Sequence, residues 1–315
     1  MQSIRDRAAF ITGGASGIGL GMARVLLDAG MRVMIADVRP EALDAATAAL
    51  GADAARLHAM VLDVSDRDAM YRAAEKAESI LGPIHLLCNN AGVGMLGDVR
   101  TTGPADWDWC LSVNLGGVVN GVLAFLPRML AHGQGGHIVN TSSIGAISPG
   151  PGAIAYLTAK GAVVTLSECL RIELAGSGVS VTVLIPGPTR SNIHHVAELR
   201  PPHLRDGPLS AFERSLAERP LFGNGLDPVE VGGMVLDAVE RDLMYVFTHN
   251  EFREGTAQRF EAILDAFPRD PIDPERAKGF GFPLVNPLFG ELLRRREPPA
   301  AARPRSGAAK RGQDS

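Results

Sequence analysis

Residues 8–19 read AAFITGGASGIG, and the stretch from 19 to 30 continues as GLGMARVLLDAG. A short apolar run, a glycine-rich turn and a helical pattern follow one another without a gap. That order predicts strand, tight turn, helix. Glycines at 13, 17 and 19 let backbone approach a ligand closely. The helix that begins there offers free N–H groups and the positive end of its dipole to a phosphate. The spacing is G-x-x-x-G-x-G, with Ser16 and Ile18 inside the turn. The next apolar run, MRVMIAD (31–37), ends in Asp37, eighteen positions after Gly19. A carboxylate at that strand end can accept hydrogen bonds from ribose hydroxyls and repel a 2′-phosphate. Arg39 works the other way, since a guanidinium can bind a 2′-phosphate. Asp37 stands at the strand end itself, so the reading is NAD rather than NADP.

The same alternation continues along the chain. Helix EALDAATAAL precedes HAMVLDVSD, a third strand expected to end at Asp63. Helix DAMYRAAEKAESIL precedes IHLLCNNAG, a fourth strand and turn. Asp106 to Leu130 reads as one long, mostly apolar helix. HIVNTSS is a fifth strand, Tyr156–Ala175 a helix and VSVTVLIPG (179–187) a sixth strand. DPVEVGGMVLDAVER is a helix with Asp227 as cap and Pro228 at its first position. MYVFTH (244–249) is the last strand, and REGTAQRFEAILDAF a further helix. Strands alternating with helices give an α/β Rossmann fold: a doubly wound parallel sheet with helices on both faces. The expectation is a single domain over 1–297. It includes a proline-rich, non-regular segment at 188–226, placed after a strand end as a lid or substrate loop. The tail 298–315 is poor in hydrophobic residues and expected to be disordered.

The chemistry is expected in SSIGAISPGPGAIAYLTAK, residues 142–160. Tyr156 and Lys160 are four apart in a helical pattern, so they share one face. A free phenol titrates near ~10 and is a poor base. A neighbouring ammonium favours its phenolate. The pair is therefore read as a phenol tuned to exchange a proton with an alcohol or a carbonyl. Ser143, thirteen positions before Tyr156, follows the apolar run HIVNTS at the end of a strand where open parallel sheets bind ligands. Asn114 is an amide in an apolar helix segment, read either as a functional group or as a partner for backbone groups.

The 315 residues, 46% hydrophobic and 21% charged, have the make-up of a soluble globular protein. A net charge of −4 does not indicate nucleic-acid binding. No unbroken apolar run is long enough to predict a membrane span, and MQSIRDRAAFITGG carries no leader-type apolar region. Cys88, Cys110 and Cys169 lack metal-ligand spacing, which suits a reducing cytoplasm. His194 and His195 have no third ligand at a suitable spacing, so no metal is expected. Surplus apolar positions on the Asp106–Leu130 and Tyr156–Ala175 helices predict a homodimer or homotetramer.

Taken in order, TGGASGIG (12–19), Asp37, LDV (62–64), NNAG (89–92), Asn114, Ser143, YLTAK (156–160) and PGPT (186–189) resemble the short-chain dehydrogenase/reductase family across residues 5–190. The resemblance implies a seven-stranded Rossmann domain and reversible hydride transfer between a nicotinamide cofactor and a secondary alcohol or ketone. It implies Tyr156 as acid/base, and Lys160 as ribose ligand and pKa modulator. Ser143 would hold the reacting oxygen, and Asn114 would join a proton relay through water. Asp63, Val64, Asn90, Ala91 and Gly92 would line the adenine side; Pro186, Gly187 and Thr189 would meet the nicotinamide, Thr189 at its carboxamide. SNI (191–193), LRP (199–201) and NEFREG (250–255) resemble bacterial Cα-dehydrogenases, which oxidise benzylic alcohols of lignin-type aryl ethers. That points to a bulky, apolar or aromatic small-molecule substrate. The alternatives are an NADP-dependent ketone reductase using Arg39, a dinucleotide-sensing protein without turnover, and a sugar-nucleotide epimerase or dehydratase.

Overall fold

Seven strands, β1 (Ala8–Thr12), β2 (Arg32–Asp37), β3 (Leu57–Val61), β4 (Ile84–Asn89), β5 (Gly136–Thr141), β6 (Val179–Ile185) and β7 (Tyr245–Phe247), form one sheet in the order β3-β2-β1-β4-β5-β6-β7. Every pairing is parallel. This computed structural model describes residues 4–51, 53, 55–191, 193, 196–217, 224–280 and 286–294. The central strands are buried along their whole length, as in β1 (AAFIT) and β4 (IHLLCN). Such strands read as continuous apolar runs because helices cover both faces. At the sheet edge, β3 alternates between buried and more exposed positions.

The helices are α1 (Gly17–Asp28), α2 (Pro40–Leu50), α3 (Arg67–Leu81), α4 (Pro104–Leu111), α5 (Gly117–His132), α6 (Ile144–Ile147), α7 (Ile154–Glu173), α8 (Val196–Leu199), α9 (Pro208–Ala217), α10 (Pro228–Arg241), α11 (Arg253–Asp265), α12 (Pro274–Lys278) and α13 (Pro287–Arg294). Side chains of α1, α2 and α10 pack on one sheet face. Those of α3, α5 and α7 pack on the other. The fold is thus the expected doubly wound Rossmann sheet. Asp66 and Asp227 cap α3 and α10 by accepting from Ala69 N at 2.9 Å and Val229 N at 2.8 Å. Where α1 crosses α10, a Cβ on Gly21 would lie 2.1 Å from Pro228 O, and one on Gly232 would lie 2.7 Å from Gly21 O. Only glycine lets the two backbones meet so closely.

Several expectations change. The helix expected over 106–130 runs from Pro104 to His132 but carries one π-helical turn, Ser112–Gly116. An 18-residue window of this 29-residue helix has a mean hydropathy of 1.6, so by length and composition alone it could cross a membrane. Half of that window is buried inside the protein, as in a core helix. The segment at 188–226 is not irregular: its described part holds α8, a 3-10 turn at Pro202–Leu204 and α9. The third strand ends at Val61, so Asp63 lies beyond it. The chain divides into two compact units, one up to Ala266 and the other from Phe267. The tail expected from residue 298 lies outside the described residues.

Candidate active site

At the C-terminal ends of β1, β2, β4 and β5 lies a cavity of about 220 Å³. Its floor is the turn between β1 and α1. Gly13 and Gly17 both have positive φ, +62° and +50°. A Cβ on Gly13 would stand 2.8 Å from Ala91 Cα, and one on Gly19 would stand 2.1 Å from Gly13 O. At Gly13 and Gly19 a side chain is excluded, so there only backbone can face a ligand, at the start of α1. Thr12 ties this turn to the next strand end: its Oγ1 accepts from Asn90 N at 2.9 Å and Ala91 N at 3.1 Å. Asn90 Nδ2 in turn donates to Thr12 O at 3.1 Å. Thr12 stands in the quoted motif, and its position at a strand end was the only sequence signal for this role.

Asp37 closes β2 and is 7% exposed. Its Oδ1 accepts from the backbone N and the Nε of Arg39, both at 3.2 Å, while Arg39 Nη2 donates to Ser16 Oγ at 3.1 Å. The guanidinium thus spans the space between the strand end and the glycine turn. Asp63 accepts from Ser65 N at 2.9 Å and Ser65 Oγ at 2.7 Å, so part of its capacity serves a local turn. Val64 is buried beside it.

Tyr156 and Lys160 share one face of α7 and both line the cavity. Lys160 is 2% exposed; its Nζ donates to Thr141 O at 2.9 Å and lies 5.8 Å from the Tyr156 ring centre. Burial pushes the Lys160 ammonium down to about 8. Burial also pushes the Tyr156 phenol up to about 12, and the hydrogen bond with Ser143 opposes this only in part. The expected lowering of the phenol by Lys160 is therefore not a property of the protein chain alone. Desolvation disfavours the charged form of each.

Ser143 caps α6, accepting from Gly145 N at 3.3 Å, while Ser142 Oγ turns away to donate to Lys160 O at 2.7 Å. Asn114 is fully buried in the π-helical turn. Its Oδ1 accepts from Val93 N at 3.1 Å, and its Nδ2 donates to Val93 O at 3.0 Å and Cys110 O at 3.1 Å. A Cβ on Gly92 would meet Asn114 Oδ1 at 2.8 Å and Lys160 Nζ at 3.2 Å, so both groups flank that glycine.

The structure brings fourteen of the sequence-predicted residues to the cavity wall: Gly13, Ser16, Gly17, Ile18, Asp37, Arg39, Asp63, Val64, Asn90, Ala91, Gly92, Tyr156, Lys160 and Pro186. Gly19, Asn114, Ser143, Gly187 and Thr189 sit behind or beside it. Gly187 is packed against His249, and its N–H donates to Thr248 Oγ1 at 3.0 Å. Thr189 is buried, and its hydroxyl donates to Gly187 O at 3.1 Å. Trp109, Val113, Ser191, Ile193 and Leu199 also line the cavity. Sequence reading gave Trp109 and Val113 no role and quoted Ser191, Ile193 and Leu199 only within the SNI and LRP resemblance, because nothing local marks residues that meet only when the segment after β6 folds over α4. Ile193 rests on Gly94 and Leu209 on Gly97, where a Cβ would stand 2.7 and 2.5 Å away.

Among the described residues no group of three His, Cys, Asp or Glu could hold a metal; His194 and His195 lie outside them. The glycine cradle, excluded side chains and strand-end carboxylate fit a dinucleotide. Residues 7–200 match the short chain dehydrogenase family. The C alpha-dehydrogenase of Sphingobium sp. (strain NBRC 103272 / SYK-6) is 39% identical over 280 residues, 88% of this chain and 92% of that protein. The 1-deoxy-11-beta-hydroxypentalenate dehydrogenase of Streptomyces exfoliatus is 33% identical over 274 residues, 86% of this chain and 94% of that protein. A short chain dehydrogenase/reductase from Burkholderia phymatum, solved in complex with NAD, superposes with a TM-score of 0.79 at 32% identity, covering 87% of this chain and all of the other. With the fold, the glycine turn and the Tyr156–Lys160 face already in place, these matches establish that the chain belongs to the short-chain dehydrogenase/reductase family and is an oxidoreductase.

Proposed function

We propose that the protein oxidises a bulky secondary alcohol, with a benzylic carbinol as the leading class, or reduces the matching ketone, using NAD in preference to NADP. The observation that carries this reading is the single cavity shared by the glycine turn, Asp37, Tyr156, Lys160 and an apolar wall that includes Trp109. The likeness to the C alpha-dehydrogenase supports the benzylic class.

When bound, the nicotinamide accepts or supplies the hydride. The N–H groups at the start of α1 would hold the pyrophosphate, Asp37 the adenosine ribose, and Lys160 the nicotinamide ribose. Tyr156 would take the hydroxyl proton in oxidation and return it in reduction. Ser143, bonded to the phenol, would fix the reacting oxygen beside it. A phenol at about 12 is a weak base in the free protein. Cationic charge entering the cavity would favour its ionised form. Lys160 and Asn114, either side of Gly92, would carry the proton onward to solvent through water.

The protein would work as a homodimer or homotetramer in the cytoplasm. Leu123 and Leu130 of α5 and Ile154 of α7 remain more than a third exposed and support such an interface. The cysteines are free thiols, as a reducing compartment allows. The deciding experiment screens secondary alcohols with each cofactor and follows reduced-nicotinamide absorbance. Turnover of arylalkanols with NAD supports the proposal; turnover with NADP alone, or with none, overturns it.

A further inference from the structure

Arg200 is the largest fully buried side chain among the described residues, at 1% exposure. It belongs to the segment folded over α4 and directly follows Leu199, which lines the cavity. Its Nε and Nη2 donate to the two oxygens of Glu213 at 2.6 and 3.0 Å. Its Nη1 donates to Asp106 Oδ1 at 2.5 Å. Glu213, on α9, is fully buried, and Asp106 is 14% exposed. Asp106 and Trp109 are three apart on α4 and so share a face. The guanidinium carbon stands 5.2 Å from the Trp109 ring centre, within the range of a cation–π contact. Burying three charges is costly, and an apolar filling of the same volume is often as stable. A planar fork with five donors does what apolar residues cannot: it fixes direction. Here it joins the segment after β6, α9 and α4 at one point, and it presses on an indole that lines the cavity.

We infer that Arg200 is a positioning residue that holds Trp109 as a rigid aromatic wall, so that the cavity selects carbinols and ketones bearing an aryl ring over those bearing a saturated ring of equal size. This rests on the cavity being the substrate site, as proposed above. A fixed indole stacks on a flat ring without paying to order itself, whereas a puckered ring cannot match it. The buried ion pair acts at a distance from the reacting atoms and leaves the cofactor turn untouched.

The test uses the full chain with oxidised NAD and two ketones, acetophenone and cyclohexyl methyl ketone. With oxidised cofactor neither can react, so calorimetry reads binding alone. The wild type should bind acetophenone about tenfold more tightly, the scale of one aromatic contact. The double variant Arg200→Met/Glu213→Leu removes both charges at similar volume. It should bring that ratio close to one while NAD affinity stays within about twofold, and Arg200→Lys should fall between. A wild-type ratio near one, or an unchanged ratio in a folded double variant, overturns the inference. A second readout does not need substrate. In a Trp107→Phe background Trp109 is the remaining tryptophan of two, and its fluorescence anisotropy reports how firmly it is held. Faster local motion in the double variant supports the positioning role even if neither ketone binds the wild type, an outcome that would sink the substrate proposal. Equal rigidity in both proteins overturns the positioning role.

Discussion

The two sides of the cavity are built by opposite means. The cofactor side rests on a backbone turn: Gly13, Gly17 and Gly19 exclude side chains at their own positions, and Thr12 and Asn90 tie peptide groups together. The opposite side is made of side chains: Trp109, Ile193 and Leu199, fastened by Arg200, Glu213 and Asp106. Backbone construction leaves a local mark, because glycine is required wherever a Cβ would collide. Side-chain construction leaves none. Arg200 and Asp106 are separated by 94 positions, and each taken alone reads as a surface charge.

If the two sides are separable in this way, the chemistry alone depends on both. Tyr156→Phe should lower kcat by a factor of roughly 10²–10⁴, the usual worth of general acid–base catalysis. Calorimetry should find NAD affinity nearly unchanged. Retention of more than about a tenth of the wild-type rate would show that another group carries the proton.

Asp37→Ala addresses the cofactor side only. A lost pair of hydrogen bonds and relieved repulsion are worth on the order of 2–4 kcal/mol, or roughly 30- to 1,000-fold in NAD over NADP preference. The variant should lose most of that preference in kcat/KM and keep its ranking of alcohols. Because Arg39 is held between Asp37 and Ser16, removing Asp37 frees its Nε and can raise NADP use. A wild type that uses NADP equally well would mean that Arg39 governs the pocket.

This contrast also explains what the sequence could and could not tell. The Rossmann order was legible because β1, β4 and β5 each carry an apolar run and each is followed by a helical pattern. The π-helical turn was not, since Asn114 makes its bonds to Val93, 21 positions back, as well as within its own helix. Tyr156 and Lys160 were legible as a pair, but their ionisation was not. Burial, which no spacing reveals, disfavours the charged form of each.

Lys160 therefore carries a stability cost that can be measured. The lysine titrates at 10.5 when free and at about 8 in the fold. Between those values the unfolded chain holds more protons, so stability rises with pH across that window, while below it the cost is constant. Lys160→Met should stabilise the cofactor-free protein by roughly 2 kcal/mol at neutral pH, after allowing for the lost bond to Thr141. The gain should shrink from pH 8 upward and vanish near pH 10.5. Urea melts at several pH values would show it; a variant less stable than wild type at pH 7 would mean that the ammonium is better compensated than its surroundings suggest.

The smallest effect concerns the fastening of α9. Its sequence, rich in charge and preceded by prolines, invites the reading of a loose lid. Yet its Glu213 is fully buried against Arg200, and Leu209 packs with Trp107, Trp109 and Tyr156. Amide exchange in α9 should therefore be slower than in the exposed helix α11, which buries no residue. Asp106 contributes one of the three bonds to Arg200 and also accepts from Gly103 N at 2.9 Å, closing the first turn of α4. Asp106→Asn keeps the shape and removes the charge. It should cost about 1 kcal/mol, equivalent to a roughly fivefold rise in exchange across α9 if opening there is local. Exchange in α1, on the cofactor side, should not change, because its contacts with α10 run through Gly21 and Gly232 and share nothing with Asp106. Equal acceleration in α1 and α9 would mean that the two sides open as one unit, and the division between a backbone-built and a side-chain-built half would not hold in solution.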